Sequence, residues 1–352
     1  MASLALPPYS DSLFKVGVKG IRAENKQPKP SLAGQTVLIT GSNSGIGLAC
    51  AQILPTLSIS HLILAVRSPS KAEPIATSLR TLHPNLKISV WDLDMLSYAS
   101  ITSFASRCYT LPRLDIAILN AGVGGSFESR ICEATGHEET IQVNYLSTAL
   151  LSILLLPVLA GRPSSRNGSS NGSANGKEVK PGRLTIVGSG TALFAAFENV
   201  NEKPLLPSFD APYSGFSAAG ERYATSKLLV TMFVHTLSQH VSSKRVIINT
   251  VEPGLTSGTS LHRDFSGGGA LFMRVMKKLS ARTPEQAAWT YVDAIGVHGE
   301  ESHGGFIMFW EVCGVPQVMH TDEGRDCMER LWKETMVELK FADVREILAS
   351  MK

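Results

Sequence analysis

"TGSNSGIG", residues 40 to 47, follows a short β-rich run, Thr36 to Thr40, and leads into "LACAQIL", a run of good helix formers. A strand that ends in glycines and reopens as a helix has a specific use. The glycines permit a tight turn and let a pyrophosphate approach the backbone, and the amides at the helix N-terminus stabilise its negative charge. A glycine-rich loop alone could be only a turn. The strand before it and the helix after it favour a dinucleotide loop built from Gly41, Ser42, Asn43, Ser44, Gly45, Ile46 and Gly47.

Working outward, five more strand-like runs follow: "HLILAVR" (61–67), "LKISVWDLD" (86–94), "LDIAILNAGV" (114–123), "GRLTIVGSG" (182–190) and "RVIINTVEPG" (245–254), with a seventh at "GGFIMFW" (304–310). Each is nearly continuous in apolar residues, and helix-length segments separate them. That pattern belongs to a parallel sheet covered on both faces. The expected fold is α/β, a Rossmann-type doubly wound parallel sheet in a single domain over residues 33–315. Residues 1–32 form an N-terminal arm, expected to be solvated. Residues 316–352 form a C-terminal helical extension, with Met328, Leu331, Trp332, Met336 and Leu339 at helical spacing. Residues 161–182, rich in Ser, Asn and Gly, read as a mobile insertion whose Asn-Gly-Ser sequons at Asn167 and Asn171 are compositional accidents.

Composition sets bounds on function. Of 352 residues, 43% are hydrophobic and 18% charged, with a net charge of +3. This is an ordinary globular chain with no dense basic run, so nucleic acid is not an expected partner. The five scattered cysteines form no Cys-x-x-Cys pair, which argues against a disulfide frame or a zinc site, and no metal is expected. The N-terminus lacks a secretory pattern. The longest apolar run, residues 145–161, is interrupted by Pro157, so no integral membrane segment is expected and the localisation reads as cytoplasmic.

The second strand ends in "AVRSPSK", where NAD-selective sites commonly carry an acidic residue. Arg67, Ser68 and Lys71 stand there instead, a set suited to a 2′-phosphate, so NADP(H) is the expected cofactor. Further on, "GERYATSKLL" (220–229) places Tyr223 and Lys227 four positions apart, on one helical face. An ammonium about 4 Å from a phenol at an effective dielectric near 20 supplies about 4 kcal/mol. That is enough to bring a tyrosine from about 10 towards 7 and make it a general acid/base.

With these motifs the chain resembles the short-chain dehydrogenase/reductase family over roughly residues 33–315. "TGSNSGIG" is similar to the family's TGxxxGxG. Asp92 and Leu93 match its adenine-contact position, and Asn120, Ala121 and Gly122 match its NAG motif. "QVNYLS" supplies Asn144, "VGSG" supplies Ser189, "YATSK" supplies Tyr223 and Lys227, and "EPG" supplies Pro253 and Gly254, with Thr256 following. The resemblance implies that Tyr223 exchanges a proton with the substrate oxygen, while Lys227 binds the nicotinamide ribose and lowers the tyrosine, helped by the positive ring of the oxidised cofactor. It implies that Ser189 holds the oxygen, with Thr191 as its substitute if the loop is shifted, and that Asn144 maintains a water-linked path to Lys227. The 34 positions between Ser189 and Tyr223 are closer to the retinol-dehydrogenase-like branch and to fungal secondary-metabolite reductases than to short family members.

The expected function is NADP(H)-dependent oxidoreduction between a ketone or aldehyde and an alcohol on a moderately large lipophilic substrate. Non-redox cyclisation or isomerisation on the same fold, and a non-catalytic NADP-binding scaffold, are the alternatives. Phe194, Phe197, Phe209, Tyr213 and Phe216 are candidates for the substrate wall. Residues 255–282 are the candidate lid, with Phe272, Met273 and Met276 on its inner face. His262 and His320 read as packing or solvent histidines. Family members pair through the helices at 145–161 and near Tyr223, as a homodimer or homotetramer.

Overall fold

The computed structural model describes residues 2–161, 180–257 and 282–352. Most of the expected insertion at 161–182, with both sequons, and most of the expected lid at 255–282, with His262, Phe272, Met273 and Met276, lie outside the described residues.

Eight strands form one sheet in the order β3-β2-β1-β4-β5-β6-β7-β8. They are β1 Thr36–Thr40, β2 His61–Val66, β3 Lys87–Asp92, β4 Ile116–Leu119, β5 Gly182–Val187, β6 Val246–Val251, β7 Gly305–Met308 and β8 Glu311–Cys313. The first seven pair in parallel. Only β8, which the sequence did not announce, returns antiparallel. The apolar runs are continuous because both faces are covered. In β1, Val37 and Ile39 join one core and Leu38 the other, and β2 divides in the same way. The helices Gly45–Ile53 and Pro284–Gly296 cover one face; Tyr98–Cys108, Thr148–Leu159 and Phe216–His240 cover the other.

The basic stretch Lys15 to Lys29 of the N-terminal arm is largely exposed, but the start of the arm docks on the domain. Ser3 is fully buried and its Oγ accepts the Phe306 amide at 2.7 Å, while the Tyr9 amide donates to Val315 O at 3.0 Å. The β7–β8 turn holds Phe309 and Trp310 at φ 53° and 71°. Bulky residues in the left-handed region cost roughly 1–3 kcal/mol each. The same N-terminal stretch supports them, since Trp310 Nε1 donates to Glu24 O at 2.9 Å.

The C-terminal helix Asp322–Glu338 packs on this domain. Trp332 stacks on His240 at 4.7 Å between ring centroids, and Tyr145 Oη meets Thr335 Oγ1 at 2.6 Å in the interior. Leu339, Val344, Leu348 and Met351 join the same core as the apolar helix Thr148–Leu159. That helix is part of the only one among the described residues long and apolar enough to cross a membrane, Glu139–Leu159, and 94% of its apolar window is buried inside the fold. The chain's own C-terminal helices cover apolar surface on both helices through which pairing is expected, those near 145–161 and Tyr223. Two of the expected wall aromatics also belong to the core. Phe197 and Phe209 are buried and stack at 6.5 Å.

His137 ties three distant segments together. Its Nδ1 lies 3.1 Å from Asp210 Oδ2 and its Nε2 3.6 Å from Glu338 Oε1. The Glu338 hydrogen bond, then the charge of Asp210, raise His137 above its ordinary 6.5, while His137 lowers Glu338 below 4.5. A raised histidine stabilises below its unfolded value and loses that contribution as pH rises through its folded value; the lowered carboxylate acts above its unfolded value and is lost in acid. We expect the melting-temperature gap between wild type and His137→Gln to be widest near about pH 5.5 and to close by about pH 9. A gap that does not change with pH would show that His137 acts only by packing.

Candidate functional site

In a parallel sheet every strand ends at the same edge, so the loops that follow β1, β2, β3, β4, β5 and β6 gather there. β1 and β4 are neighbours although far apart in sequence, and the chain departs in opposite directions from them. The crevice between them is the expected ligand position in an open α/β sheet. A cavity of about 710 Å³ opens at the opposite edge, among Gln35, His61, Lys87, Arg113 and Lys180. It holds none of the predicted site residues.

The glycine loop sits in this crevice. A Cβ on Gly47 would lie 2.4 Å from Gly41 O and 2.5 Å from Asn120 Nδ2, so only glycine allows the helix to start this close to β1 and β4. Asn120 braces the loop: its Nδ2 donates to Thr40 O at 2.9 Å, and the Ala121 amide donates to Thr40 Oγ1 at 2.9 Å. Tyr291, absent from the sequence reading, locks Asn120 in turn by donating to its Oδ1 at 2.8 Å. Its only sequence signal was an aromatic with a polar tip in an apolar helix. Ser44 precedes the helix Gly45–Ile53 without a capping side-chain bond, and the Ser42 hydroxyl is buried without a hydrogen-bond partner. Uncapped amides, an unpaired hydroxyl and a close glycine approach fit a dinucleotide pyrophosphate.

Arg67 and Lys71 are exposed beyond β2, with Ser68 heading the helix Pro69–Leu82. Asp92 ends β3, exposed, and the buried Leu93 ties β3 to β2 through its amide to Val66 O at 3.0 Å. Beyond β6, Pro253 and Thr256 are buried, and Gly254 lies between them. Thr256 Oγ1 donates to Gly254 O at 2.9 Å.

Around the end of β5 the four expected chemical residues converge. Lys227 is buried and its Nζ donates to Val187 O at 2.9 Å, 5.8 Å from the centre of the Tyr223 ring. The Ser189 hydroxyl acts on Tyr223 in the lowering direction. Ser189 Oγ also accepts from Thr191 Oγ1 at 2.9 Å, so Thr191 supports the serine. Asn144 lies in a π-helical stretch, Gln142–Ser147, a distortion often found at functional sites. Its Oδ1 accepts the Val123 amide at 2.9 Å and its Nδ2 donates to Ser226 Oγ at 3.0 Å, which joins the loop after β4 to the tyrosine helix.

The electrostatics depart from expectation. Lys227 was to lower Tyr223, yet burial first, then the negative charge of Glu252, push the phenol up to about 12, against a lowering by the Ser189 hydrogen bond. Burial likewise brings Lys227 down to about 8. The ammonium donates to a backbone carbonyl, and burial is the largest influence on the phenol. The protein by itself therefore keeps Tyr223 as a proton-bearing acid. Glu252 and Arg282 were also missed. Glu252 stood in the quoted "EPG" as a mere neighbour of Pro253, and nothing in sequence spacing placed Arg282 beside it.

Comparisons with known proteins bear on the family and the fold. The family model described as short chain dehydrogenase matches residues 35–173. The chain is 44% identical to Short chain dehydrogenase/reductase mfmJ of Annulohypoxylon moriforme, covering 100% of this chain and 99% of that one. It is 41% identical to Short chain dehydrogenase virL of Hypocrea virens over 93% and 92% of the two chains. Among solved structures, a short chain dehydrogenase from Salmonella enterica superposes with a TM-score of 0.57 at 19% identity, covering 80% of this chain and 98% of that one. One from Burkholderia cenocepacia, in complex with NADP, superposes at 0.56 with 19% identity over 79% and 96%.

The glycine loop is open to a direct test. Gly47→Ala should destabilise the protein by about 1–3 kcal/mol, the usual cost of overpacking, and weaken dinucleotide binding at least about tenfold. Thermal melting and a binding titration check both. An alanine variant that binds normally would mean the loop does not approach the ligand.

Proposed function

Because this chain belongs to the short-chain dehydrogenase family and is thereby an oxidoreductase using a nicotinamide cofactor, we propose that it is an NADP(H)-dependent carbonyl reductase of fungal secondary metabolism. Its substrate is a moderately large lipophilic ketone or aldehyde. The observation that carries this reading is the convergence of Ser189, Tyr223 and Lys227 at the end of β5, with the phenol held in its acid form.

When bound, the cofactor supplies the hydride at its nicotinamide ring. The residues of the chain do the rest. Gly41 to Gly47 cradle the pyrophosphate, Asp92 and Leu93 border the adenine, and Arg67, Ser68 and Lys71 take the 2′-phosphate that distinguishes NADP from NAD. Asn120, Ala121 and Gly122 shape the floor, and Pro253, Gly254 and Thr256 flank the nicotinamide. Ser189 holds the carbonyl oxygen, and Tyr223 gives that oxygen its proton as the alcohol forms. Lys227 holds the ribose hydroxyls, and Asn144 keeps the tyrosine helix in register with the loop after β4. The exposed apolar side chains Phe127, Phe216 and Leu255, on segments following β4, leading to Tyr223 and following β6, support a lipophilic substrate.

Two substitutions test the reading. Tyr223→Phe should keep NADPH binding and lose at least about 100-fold in turnover of a lipophilic ketone, the range for a lost general acid. Retained turnover would reject it. Arg67→Asp should weaken NADP by about tenfold or more while sparing NAD, read from Kd for each. Equal loss for both would remove Arg67 from phosphate recognition.

A further inference from the structure

The segment that joins Ser189 to Tyr223 leaves the loop after β5 and returns to the head of the helix Phe216–His240, so both its ends meet at the site. Between them it makes short 3-10 turns, Gly190–Phe194, Glu198–Asn201 and Leu206–Asp210. The first amides of such a turn have no partners within it. Side chains from distant elements supply them. On the C-terminal helix Asp322–Glu338, Glu334 accepts the Leu205 amide on Oε1 at 2.9 Å and the Leu206 amide on Oε2 at 2.8 Å. Arg330, one turn earlier, donates from Nη2 to Val200 O. Residues four apart share a helical face, so this helix grips the segment at two points. The Leu205 and Leu206 side chains are themselves buried in the core.

The tyrosine helix holds the same segment. Glu221, two residues before Tyr223, accepts the Phe197 amide at 3.1 Å and the Thr225 hydroxyl at 2.8 Å on one oxygen. Phe197 sits at φ 49°, a conformation that persists in a bulky residue when its surroundings fix it. The Arg222 guanidinium lies over the rings of Phe209 and Tyr213 at 5.3 and 5.1 Å. A carboxylate that accepts two successive backbone amides is a strong and directional anchor. Glu334 is such an anchor, and it reaches the segment from the C-terminal extension, 129 positions along the chain from Leu205. We propose that Glu334 is a positioning residue for the substrate: through the Leu205 and Leu206 amides the C-terminal helix sets the shape of the wall between Ser189 and Tyr223, so that the pocket for a lipophilic ketone is preformed. This rests on the reading of Ser189 and Tyr223 as the site of carbonyl reduction.

The test combines amide hydrogen exchange of the full chain, which needs no substrate, with steady-state reduction of 2-tetralone by NADPH. Glu334→Ala removes both acceptor oxygens, so exchange should quicken at least about tenfold in peptides covering residues 197–210. The KM for the ketone should rise at least about fivefold with kcat within about twofold, because a wall holds substrate and transition state alike, and the Kd for NADPH should not change. Glu334→Gln keeps one acceptor oxygen and should fall between Ala and wild type in both readouts. Wild-type exchange in the Ala variant would overturn the proposal, and so would faster exchange with a wild-type KM, which would make Glu334 a local brace without influence on the pocket. If circular dichroism shows that the Ala variant does not fold, the Gln variant decides, and wild-type values of exchange and KM in it would be equally fatal. Tyr223→Phe separates the two ideas: retained turnover removes the reading of the site and this proposal with it, whereas lost turnover beside a Glu334→Ala variant of wild-type KM removes this proposal alone.

Discussion

Desolvation at the end of β5 is the constraint on which the site depends. Tyr223, Lys227 and Glu252 are brought together where burial shifts each towards its uncharged form. Such groups are expensive to keep in an interior and are tolerated where each has a hydrogen-bonding partner. Lys227 has the Val187 carbonyl, while Ser189 acts to lower Tyr223 and the amides of Gly254 and Gly190 act to lower Glu252 against that burial. In a low-dielectric site these contacts are stronger than in water, so a small set of fixed partners can orient a proton donor.

The backbone makes that set possible by a purely topological route. Seven parallel strands deliver their loops to one edge, and the branching of the chain between β1 and β4 opens the crevice where the glycine loop lies. Asn120 spans the opening and Tyr291 holds Asn120, so a side chain from the helix Pro284–Gly296 stiffens a loop some 250 residues earlier in the chain. Asn144 performs the same service between the loop after β4 and the tyrosine helix, from a stretch where the helix itself is locally underwound into a π-turn.

The two ends of the chain turn out to be structural. The N-terminal stretch lies along β7 and the turn of Phe309 and Trp310, and Tyr9 comes close enough to Glu252 to feel its charge. The C-terminal helices cover the apolar helix Thr148–Leu159 and the outer side of Phe216–His240. An apolar segment that by composition could cross a membrane is thereby a core helix, because burial against protein satisfies it as well as lipid would.

Local pattern determined much of this protein. Continuous apolar runs located seven of the eight strands because a strand buried on both faces needs no partner information to be recognised. The glycine loop and the Tyr223–Lys227 pair were legible because turn geometry and helical spacing act within a few residues. β8 was not, since a three-residue edge strand carries almost no signal of its own. The burial of Phe197 and Phe209, the docking of Ser3, and the grip of Glu334 on the Leu205 and Leu206 amides were invisible for a different reason: they depend on contacts between residues tens to hundreds of positions apart. The state of Tyr223 belongs to this second group. Spacing along a helix states that a lysine is near, but only the folded surroundings set how much water is lost and which other charge faces the phenol, and those two quantities decide where its proton resides.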